Sequence, residues 1–310
     1  MKWEDQKSIY NKDYYSVLMN LKYLVCQICH SELEYRIDYL QCCKCNKIYP
    51  VEYGIPQFDI IEECNAEVEQ TNQRRCTEDI YNMAQDSIWQ HTIGFPFYNY
   101  AQGNESYDLE RYSRAVLTNI TIKYAIDSYN CGIAVDVGTG PGWLSYLLSN
   151  IYLTVACDIN MDEQIGLRSI NPDIGKGILL VRAMGENIPI LPNIADFITG
   201  MSVYHHLTDR IQFLNNAYRI LKPGGILLLT GESPAKDEAD LEYQLALLRD
   251  RGLGYEKGYT RQELYHTLSS CNFNNISYHR IKIAQPSFRL EYAEEDSEES
   301  NNGYIIGIKD

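Results

Sequence analysis

The stretch that decides the fold class of this chain is Val135-Asp136-Val137-Gly138-Thr139-Gly140-Pro141-Gly142-Trp143. An apolar strand runs into a glycine-rich loop, and a helix is expected to follow. Glycines let the backbone take unusual dihedral angles and let a ligand approach closely. Such a loop also directs backbone N–H groups at a ligand. The stretch predicts a nucleotide-binding loop at the carboxyl end of a buried strand.

The spacing of the glycines separates two classes of such loops. A dinucleotide fingerprint has Gly-x-Gly-x-x-Gly, and its third glycine packs the helix on the strand. Here the spacing is Gly-x-Gly-x-Gly, and Trp143 stands where that glycine would be, which disfavours a nicotinamide oxidoreductase. Asp136, two residues before the first glycine, is instead the acidic residue of loops that bind S-adenosylmethionine (SAM). It would bond to the loop or, through water, to the amino acid part of SAM. The candidate binding residues of this loop are Asp136, Gly138, Gly140 and Gly142.

Short apolar runs continue the pattern along the chain. They are Ile133–Val137, Leu153–Cys157, Gly177–Val181, Phe197–Val203 and Ile226–Thr230, with helical-length stretches between them. Continuous apolar strands that alternate with helices predict a parallel sheet buried on both faces. Near the chain end, Ile276–Ile283 and Tyr304–Ile308 have no obvious helix between them, which predicts an antiparallel pair at the sheet edge.

A carboxylate follows the second predicted strand. Asp158 lies 22 residues after Asp136. At this position a carboxylate can accept hydrogen bonds from both hydroxyls of a ribose. The alternative role is that of a helix N-cap.

Several motifs in order give the chain a family resemblance. They are Asp136 to Gly142, Asp158, Glu186-Asn187-Ile188-Pro189, Asp196-Phe197-Ile198 leading to His205-His206-Leu207, and Leu221-Lys222-Pro223-Gly224-Gly225. Over residues 130–230 the chain resembles the class I SAM-dependent methyltransferases, in particular the methyltransferase type 11 group.

The resemblance implies an α/β fold, with a seven-stranded Rossmann-like sheet whose last strand is inserted antiparallel. SAM would lie across the carboxyl ends of the strands, with its ribose on Asp158. Met184 and Gly185 would flank the adenine, and Gly200 and Met201 would line the methionine end. Family members often have an acidic residue where this chain has Met184, so we expect sandwiching and backbone atoms to hold the adenine.

The amino-terminal part contains a second motif. Cys26-Gln27-Ile28-Cys29 is followed, twelve residues later, by Cys42-Cys43-Lys44-Cys45. Two Cys-x-x-Cys knuckles at this separation predict a zinc ribbon with Cys26, Cys29, Cys42 and Cys45 as ligands. His30 is an alternative ligand. Four sulfur ligands leave no open position, so the zinc would be structural. With Tyr49–Pro56, the segment looks like the zinc-ribbon domain of methyltransferase-activator proteins.

Composition sets limits on the partners and the compartment. The chain has 310 residues and a formal net charge of −15. Nucleic acids are polyanions, so this charge favours a small-molecule or peptide substrate over nucleic acid. No apolar run approaches the roughly 18 residues that span a bilayer, and the first residues do not resemble a secretory signal. We therefore expect a cytoplasmic protein, in which clustered cysteines bind metal.

Three segments and one function are predicted from these patterns. Residues 1–62 form the zinc ribbon, 63–128 an aromatic-rich helical linker or lid, and 129–310 the SAM-binding core. His205, after the fourth strand, is the candidate catalytic residue that contacts or deprotonates the acceptor, with a local structural role as the alternative. The predicted function is methyl transfer from SAM to a small-molecule or peptide acceptor. An RNA methyltransferase docked through the ribbon and a non-catalytic methyltransferase-like scaffold are the alternatives.

Overall fold

A computed structural model describes most of the chain. The described residues are 21–36, 38–65, 68–69, 105–163, 165–170, 177–250, 256–283, 292–294 and 302–310, of which 105–112 and 283 are described by their backbone alone. The chain divides into two compact units, which we call unit 1 (residues 1–92 and 131–194) and unit 2 (93–130 and 195–310). The three-segment division at residues 62 and 128 stays a prediction. Of the predicted linker or lid, residues 66–67 and 70–104 lie outside the described residues.

Unit 1 begins with a small antiparallel sheet. Its strands are β1 (Leu33–Arg36), β2 (Tyr39–Cys42), β3 (Ile48–Glu52) and β4 (Ile55–Pro56), paired in chain order. Leu40 and Tyr49 face each other across β2 and β3 and are fully buried. These two side chains give this small sheet its apolar interior.

The rest of unit 1 is a parallel three-stranded arrangement. Its elements are β5 (Ile133–Val137), α2 (Trp143–Leu148), β6 (Leu153–Asp158) and β7 (Ile178–Arg182). Strand β6 pairs in parallel with β5 on one side and with β7 on the other. All five residues of β5 are buried, as the continuous apolar run predicted. Because parallel strands end at the same edge, the segments after β5, β6 and β7 emerge together.

The predicted alternation with helices is wrong between β7 and β8, where residues 183–194 form only the 3-10 turn Gly185–Asn187. The described part of the preceding connection differs in the same way. Between β6 and β7, the described residues form only a 3-10 turn, Leu167–Ser169. Asn160 and Asp162 explain the difference. The Asn160 side chain accepts from the Asp162 N–H at 2.9 Å, and the Asp162 side chain accepts from the Ile165 N–H at 3.1 Å. Such bonds offer the backbone an alternative to helical pairing.

Unit 2 combines helices with a mixed set of strands. In chain order they are α1 (Glu105–Asp127), β8 (Ala195–Met201), α3 (Arg210–Ile220), β9 (Leu221–Thr230), α4 (Glu238–Asp250), α5 (Arg261–Ser270), β10 (Phe273–Ile283), β11 (Tyr292–Glu294) and β12 (Asn302–Lys309). Strands β8 and β9 are parallel, and β12 lies antiparallel between β9 and β10. The inserted antiparallel last strand is therefore confirmed. The short strand β11, which pairs with β10, was not predicted.

The architecture confirms the predicted fold class. The chain has an α/β fold with a large mixed sheet, of the Rossmann-like type. Within the part of the chain that the structure describes, no helix is long and apolar enough to cross a membrane.

Candidate functional site

The glycine loop connects β5 to α2, and three of its backbone N–H groups donate hydrogen bonds within unit 1. The Gly138 N–H donates to the Cys157 carbonyl at 2.8 Å, and the Gly140 N–H donates to Oδ2 of Asp158 at 2.7 Å. The Gly142 N–H donates to the Thr139 carbonyl at 3.0 Å. The loop N–H groups, which we expected to face a ligand, are thus engaged inside unit 1. Their bonds fix the loop against the end of β6.

Gly142 is required at its position for two reasons. Its φ of +79° lies in the left-handed region, which disfavours residues with a Cβ. A Cβ there would also stand 2.6 Å from a side-chain carbon of Ile170. The third loop glycine therefore allows close packing of the turn on Ile170.

Asp136 acts within the loop. Its Oδ2 accepts from the hydroxyls of Thr139 at 2.9 Å and Ser145 at 2.6 Å, and the residue is only 2 % exposed. Burial raises the pKa of Asp136 to about 6, although the two hydroxyls oppose the shift. Of the two predicted roles, bonding to the loop is the one that this geometry supports.

Asp158 stands at the junction of the three parallel strands. Besides the bond from Gly140, its Oδ1 accepts from the Asn160 N–H at 2.8 Å, and its carbonyl accepts from the Ala183 N–H at 3.2 Å. A carboxylate has about four acceptor positions, so it can take further donors beside these backbone groups. The structure thus brings Asp158 and the glycine loop together, as the sequence predicted.

Met184 and Gly185 come directly after β7. Met184 has an extended backbone and precedes the 3-10 turn Gly185–Asn187. The bond from Ala183 to Asp158 puts this turn beside the end of β6. The residues predicted for ribose and adenine therefore lie at one edge of unit 1.

Gly200 and Met201 lie in unit 2, in the last two positions of β8. They pair with Leu229 and Thr230 of β9. Gly200 is buried and Met201 is partly buried. Their predicted role at the methionine end of SAM stays a prediction.

His205 lies in unit 2 in the 3-10 turn Tyr204–His206, just after β8. Its Nδ1 is 3.2 Å from Oε2 of Glu232, a carboxylate that is completely buried. Burial alone would lower the pKa of His205, but the carboxylate of Glu232 outweighs it and holds the pKa above its ordinary value.

Glu232 is held by four donors. It accepts from the N–H groups of Val203 at 3.0 Å and Tyr204 at 2.9 Å and from the Tyr259 hydroxyl at 2.7 Å, in addition to His205. Burial would raise the pKa of Glu232, but His205 and the other donors together lower it. A buried, ionised carboxylate therefore fixes one nitrogen of the His205 ring.

The two cysteine knuckles meet in unit 1. The Sγ atoms of Cys26, Cys29, Cys42 and Cys45 all lie within 4.8 Å of one another. The Cys26–Cys45 pair is 3.5 Å apart and the Cys29–Cys42 pair 3.4 Å. Tetrahedral zinc with Zn–S bonds near 2.3 Å requires S–S separations of about 3.8 Å. The thiols therefore fit a metal after small adjustments, and His30 does not belong to the group.

The ribbon also binds the segment after β7. The Gln27 side chain, between the first two cysteines, donates to the Asn187 carbonyl at 2.7 Å. The Val25 N–H donates to the Pro189 carbonyl at 2.9 Å, and the Phe58 N–H donates to the Arg182 carbonyl at 2.9 Å. The ribbon backbone thus runs along residues 182–191, which contain the predicted adenine-flanking positions.

Three side chains in these sites were missed from the sequence. Ser145 supports Asp136, and Glu232 holds His205. Gln27 joins the ribbon to the turn Gly185–Asn187, which we call the adenine turn. A partial signal existed for Glu232, because an acidic residue stands two positions after the end of β9. No sequence signal pointed to Gln27, because its partner Asn187 lies 160 positions away in the chain.

Comparison with known proteins bears on this geometry. Residues 135–229 match the family model described as a methyltransferase domain. The chain carries a methyltransferase domain. The matched segment contains the glycine loop, Asp158, the turn after β7, β8 and His205. None of the curated proteins searched matches the chain.

Solved structures with a similar fold are distant in sequence. A SAM-dependent methyltransferase from Thermotoga maritima is 19 % identical, with a TM-score of 0.47, covering 66 % of this chain and 96 % of its own. A SAM-dependent methyltransferase from Methanosarcina mazei is 19 % identical, with a TM-score of 0.43 and coverage of 61 % and 96 %. Phosphoethanolamine N-methyltransferase 2 from Haemonchus contortus is 14 % identical, with a TM-score of 0.44 and coverage of 62 % and 52 %. At these identities the likeness concerns the fold of the methyltransferase domain and not its substrate.

Proposed function

We propose that the methyltransferase domain binds SAM and transfers its methyl group to a small-molecule or peptide acceptor. One observation carries the proposal. Within the matched domain, the glycine loop is bonded to Asp158, so the loop and the carboxylate form one preformed edge. SAM supplies an electrophilic methyl group on a sulfonium sulfur.

Each candidate SAM-binding residue has a proposed task. Asp158 would accept from the ribose hydroxyls, while Asp136 keeps the loop in shape through Thr139 and Ser145. Met184 and Gly185 would flank the adenine, and β8 would supply Gly200 and Met201 to the methionine end. Because the methyl group is already activated, the protein mainly aligns the reactants, a contribution that reaches roughly 7–11 kcal/mol in well-oriented systems.

His205 is the proposed acceptor-side residue. With Nδ1 bonded to Glu232, the Nε2 atom is the one that would meet the acceptor. His205→Ala should lower kcat by about 10²-fold or more while the Kd for SAM stays close to that of the wild type. Unchanged turnover in this variant would remove His205 from the reaction.

We also propose that Cys26, Cys29, Cys42 and Cys45 hold a structural zinc ion. The geometry of the thiols supports this assignment, because they can complete a tetrahedron without a water ligand. We further propose a cytoplasmic location, because clustered cysteines bind metal in a reducing compartment.

Calorimetry separates the proposed function from its alternatives. Wild-type protein should bind SAM and its demethylated product, S-adenosylhomocysteine, and should not bind NAD. Binding of NAD in place of SAM would contradict the assignment. Tight SAM binding with no transfer to any small molecule, peptide or RNA would favour a scaffold, and transfer to RNA alone would favour the ribbon-docked alternative.

A further inference from the structure

Two histidines and a carboxylate converge after β8 in unit 2. His205 and His206 are adjacent in the 3-10 turn, and Glu256 comes from the segment that precedes α5. One ligand atom from each of the three lies within 4.8 Å of the others, and all three residues are partly buried. The two imidazole rings are 4.3 Å apart between centroids and tilted by 46°. Such a group has the composition of a metal-binding site.

The backbone holds the two segments of this cluster together. The Lys257 N–H donates to the His205 carbonyl at 2.9 Å. The Arg210 guanidinium donates to the Tyr204 carbonyl at 3.2 Å, to the Gly258 carbonyl at 3.3 Å and to the Lys257 carbonyl. Tyr204 and His205 are therefore tied to Lys257 and Gly258, the two residues that follow Glu256, which holds the two segments beside each other.

The bond to Glu232 prepares His205 for coordination. When Nδ1 donates to a carboxylate, the lone pair is on Nε2, which becomes available to a metal ion. Metal-binding histidines commonly make such a bond, since it fixes the tautomer and the ring and increases the basicity of the ligand. Glu232 is fully buried and accepts from three further groups, so it is itself immobile.

We infer that His205, His206 and Glu256 form a binding site for a divalent first-row transition-metal ion. Imidazole and carboxylate are ligands that zinc and iron accept, and three protein ligands leave positions open. Glu256 belongs to the cluster itself, and the buried carboxylate of Glu232 bonds to the ring of His205. The local charge therefore favours a cation.

The consequence for the reaction rests on the proposed function. With the ion bound, Nε2 of His205 holds the metal and the ion meets the acceptor in its place. An open position of the ion would then take an acceptor oxygen, so the substrate class would be a hydroxyl compound able to coordinate a metal. The ion would lower the pKa of that hydroxyl. The acceptor oxygen gives up its proton to solvent and forms a bond to the methyl carbon as the carbon–sulfur bond breaks. The sulfur keeps that electron pair as a thioether.

Cobalt absorption tests the site directly on the full chain. The ribbon is first loaded with one equivalent of Zn²⁺, and Co²⁺ is then added. We expect visible d–d bands that saturate at one further equivalent. The near-ultraviolet sulfur-to-cobalt band, which would mark exchange in the ribbon, should stay absent.

Variants assign those bands to the cluster. His206→Ala and Glu256→Gln should each weaken Co²⁺ binding at least tenfold, and Glu232→Gln should weaken it about 10–100-fold through His205. Two matched controls at exposed helix positions, His266→Ala in α5 and Glu242→Gln in α4, should bind Co²⁺ like the wild type. Acetohydroxamate, a small oxygen chelator, should shift the bands of the wild type.

Several outcomes would overturn the inference. One is the absence of d–d bands after zinc loading. Another is a band that persists in a folded His206→Ala/Glu256→Gln double variant, as judged by circular dichroism. A wild-type spectrum that acetohydroxamate leaves unchanged would contradict the open positions. SAM calorimetry on the same samples separates the two proposals, because cobalt binding without SAM binding would refute the methyltransferase function and leave the metal site standing.

Discussion

Gln27→Ala should weaken SAM binding although no atom of Gln27 belongs to the predicted SAM site. The side chain donates to the Asn187 carbonyl at 2.7 Å and accepts from the Asp59 N–H at 3.0 Å. Each neutral hydrogen bond contributes about 1 kcal/mol net, so the variant should lose about 2 kcal/mol of stability. About half of that loss comes from the hydrogen bond to Asn187, which stabilises the turn next to Met184. A loss of about 1 kcal/mol there raises the Kd for SAM about fivefold.

The assay is calorimetry with SAM on wild type and variant, together with chemical unfolding of both. Gln41→Ala is the matched control, because it removes a glutamine from β2 of the same ribbon. We expect that control to bind SAM like the wild type. If Gln27→Ala unfolds more easily but binds SAM with unchanged Kd, the ribbon does not position the adenine turn. If neither quantity changes, the two hydrogen bonds carry no net free energy.

The remaining predictions concern the loop and the metal. Asp158→Asn removes a charged acceptor for the ribose hydroxyls and should raise the Kd for SAM about 10–100-fold in calorimetry, since a hydrogen bond to a charged group contributes about 1.5–3 kcal/mol; an unchanged Kd would exclude this role. Burial raises the pKa of Asp136 to about 6 from its ordinary value of 3.8, so the native state holds a proton that the unfolded chain releases between these pH values. The free energy of unfolding should therefore fall as pH rises through that window, and the difference between wild type and Asp136→Asn should change by roughly 3 kcal/mol across it; parallel pH profiles would contradict this. Cys45→Ser should contain less zinc by elemental analysis and should melt at a lower temperature than the wild type. Cys43→Ser changes a thiol outside the four proposed ligands and should keep the zinc content and melting temperature of the wild type.

Local patterns predicted the parts of the molecule that local chemistry determines. The apolar run Ile133–Val137 predicted β5 with the same bounds that the structure shows. A strand buried on both faces needs an apolar side chain at nearly every position. The two Cys-x-x-Cys knuckles predicted the group of four thiols, because each knuckle presents two sulfur atoms from a single turn. The glycine spacing gave a loop packed at the end of β6.

Tertiary pairing determined what the sequence did not predict. Gln27 looks like an ordinary polar residue inside a knuckle until the chain brings Asn187 against it. Glu232 and Tyr259 lie 27 positions apart and meet only in the folded unit. Directly after β6, where the spacing suggested a helix, the side chains of Asn160 and Asp162 bond to backbone N–H groups two and three positions further along. No period in the sequence encodes contacts of this kind.

A crystal structure of the protein grown with S-adenosylhomocysteine tests the central claim most directly. We predict that both ribose hydroxyls bond to Asp158, with the adenine beside Met184 and the glycine loop close to the amino acid part. Density for the ligand elsewhere, with the edge formed by the loop and Asp158 filled by protein side chains, would contradict it.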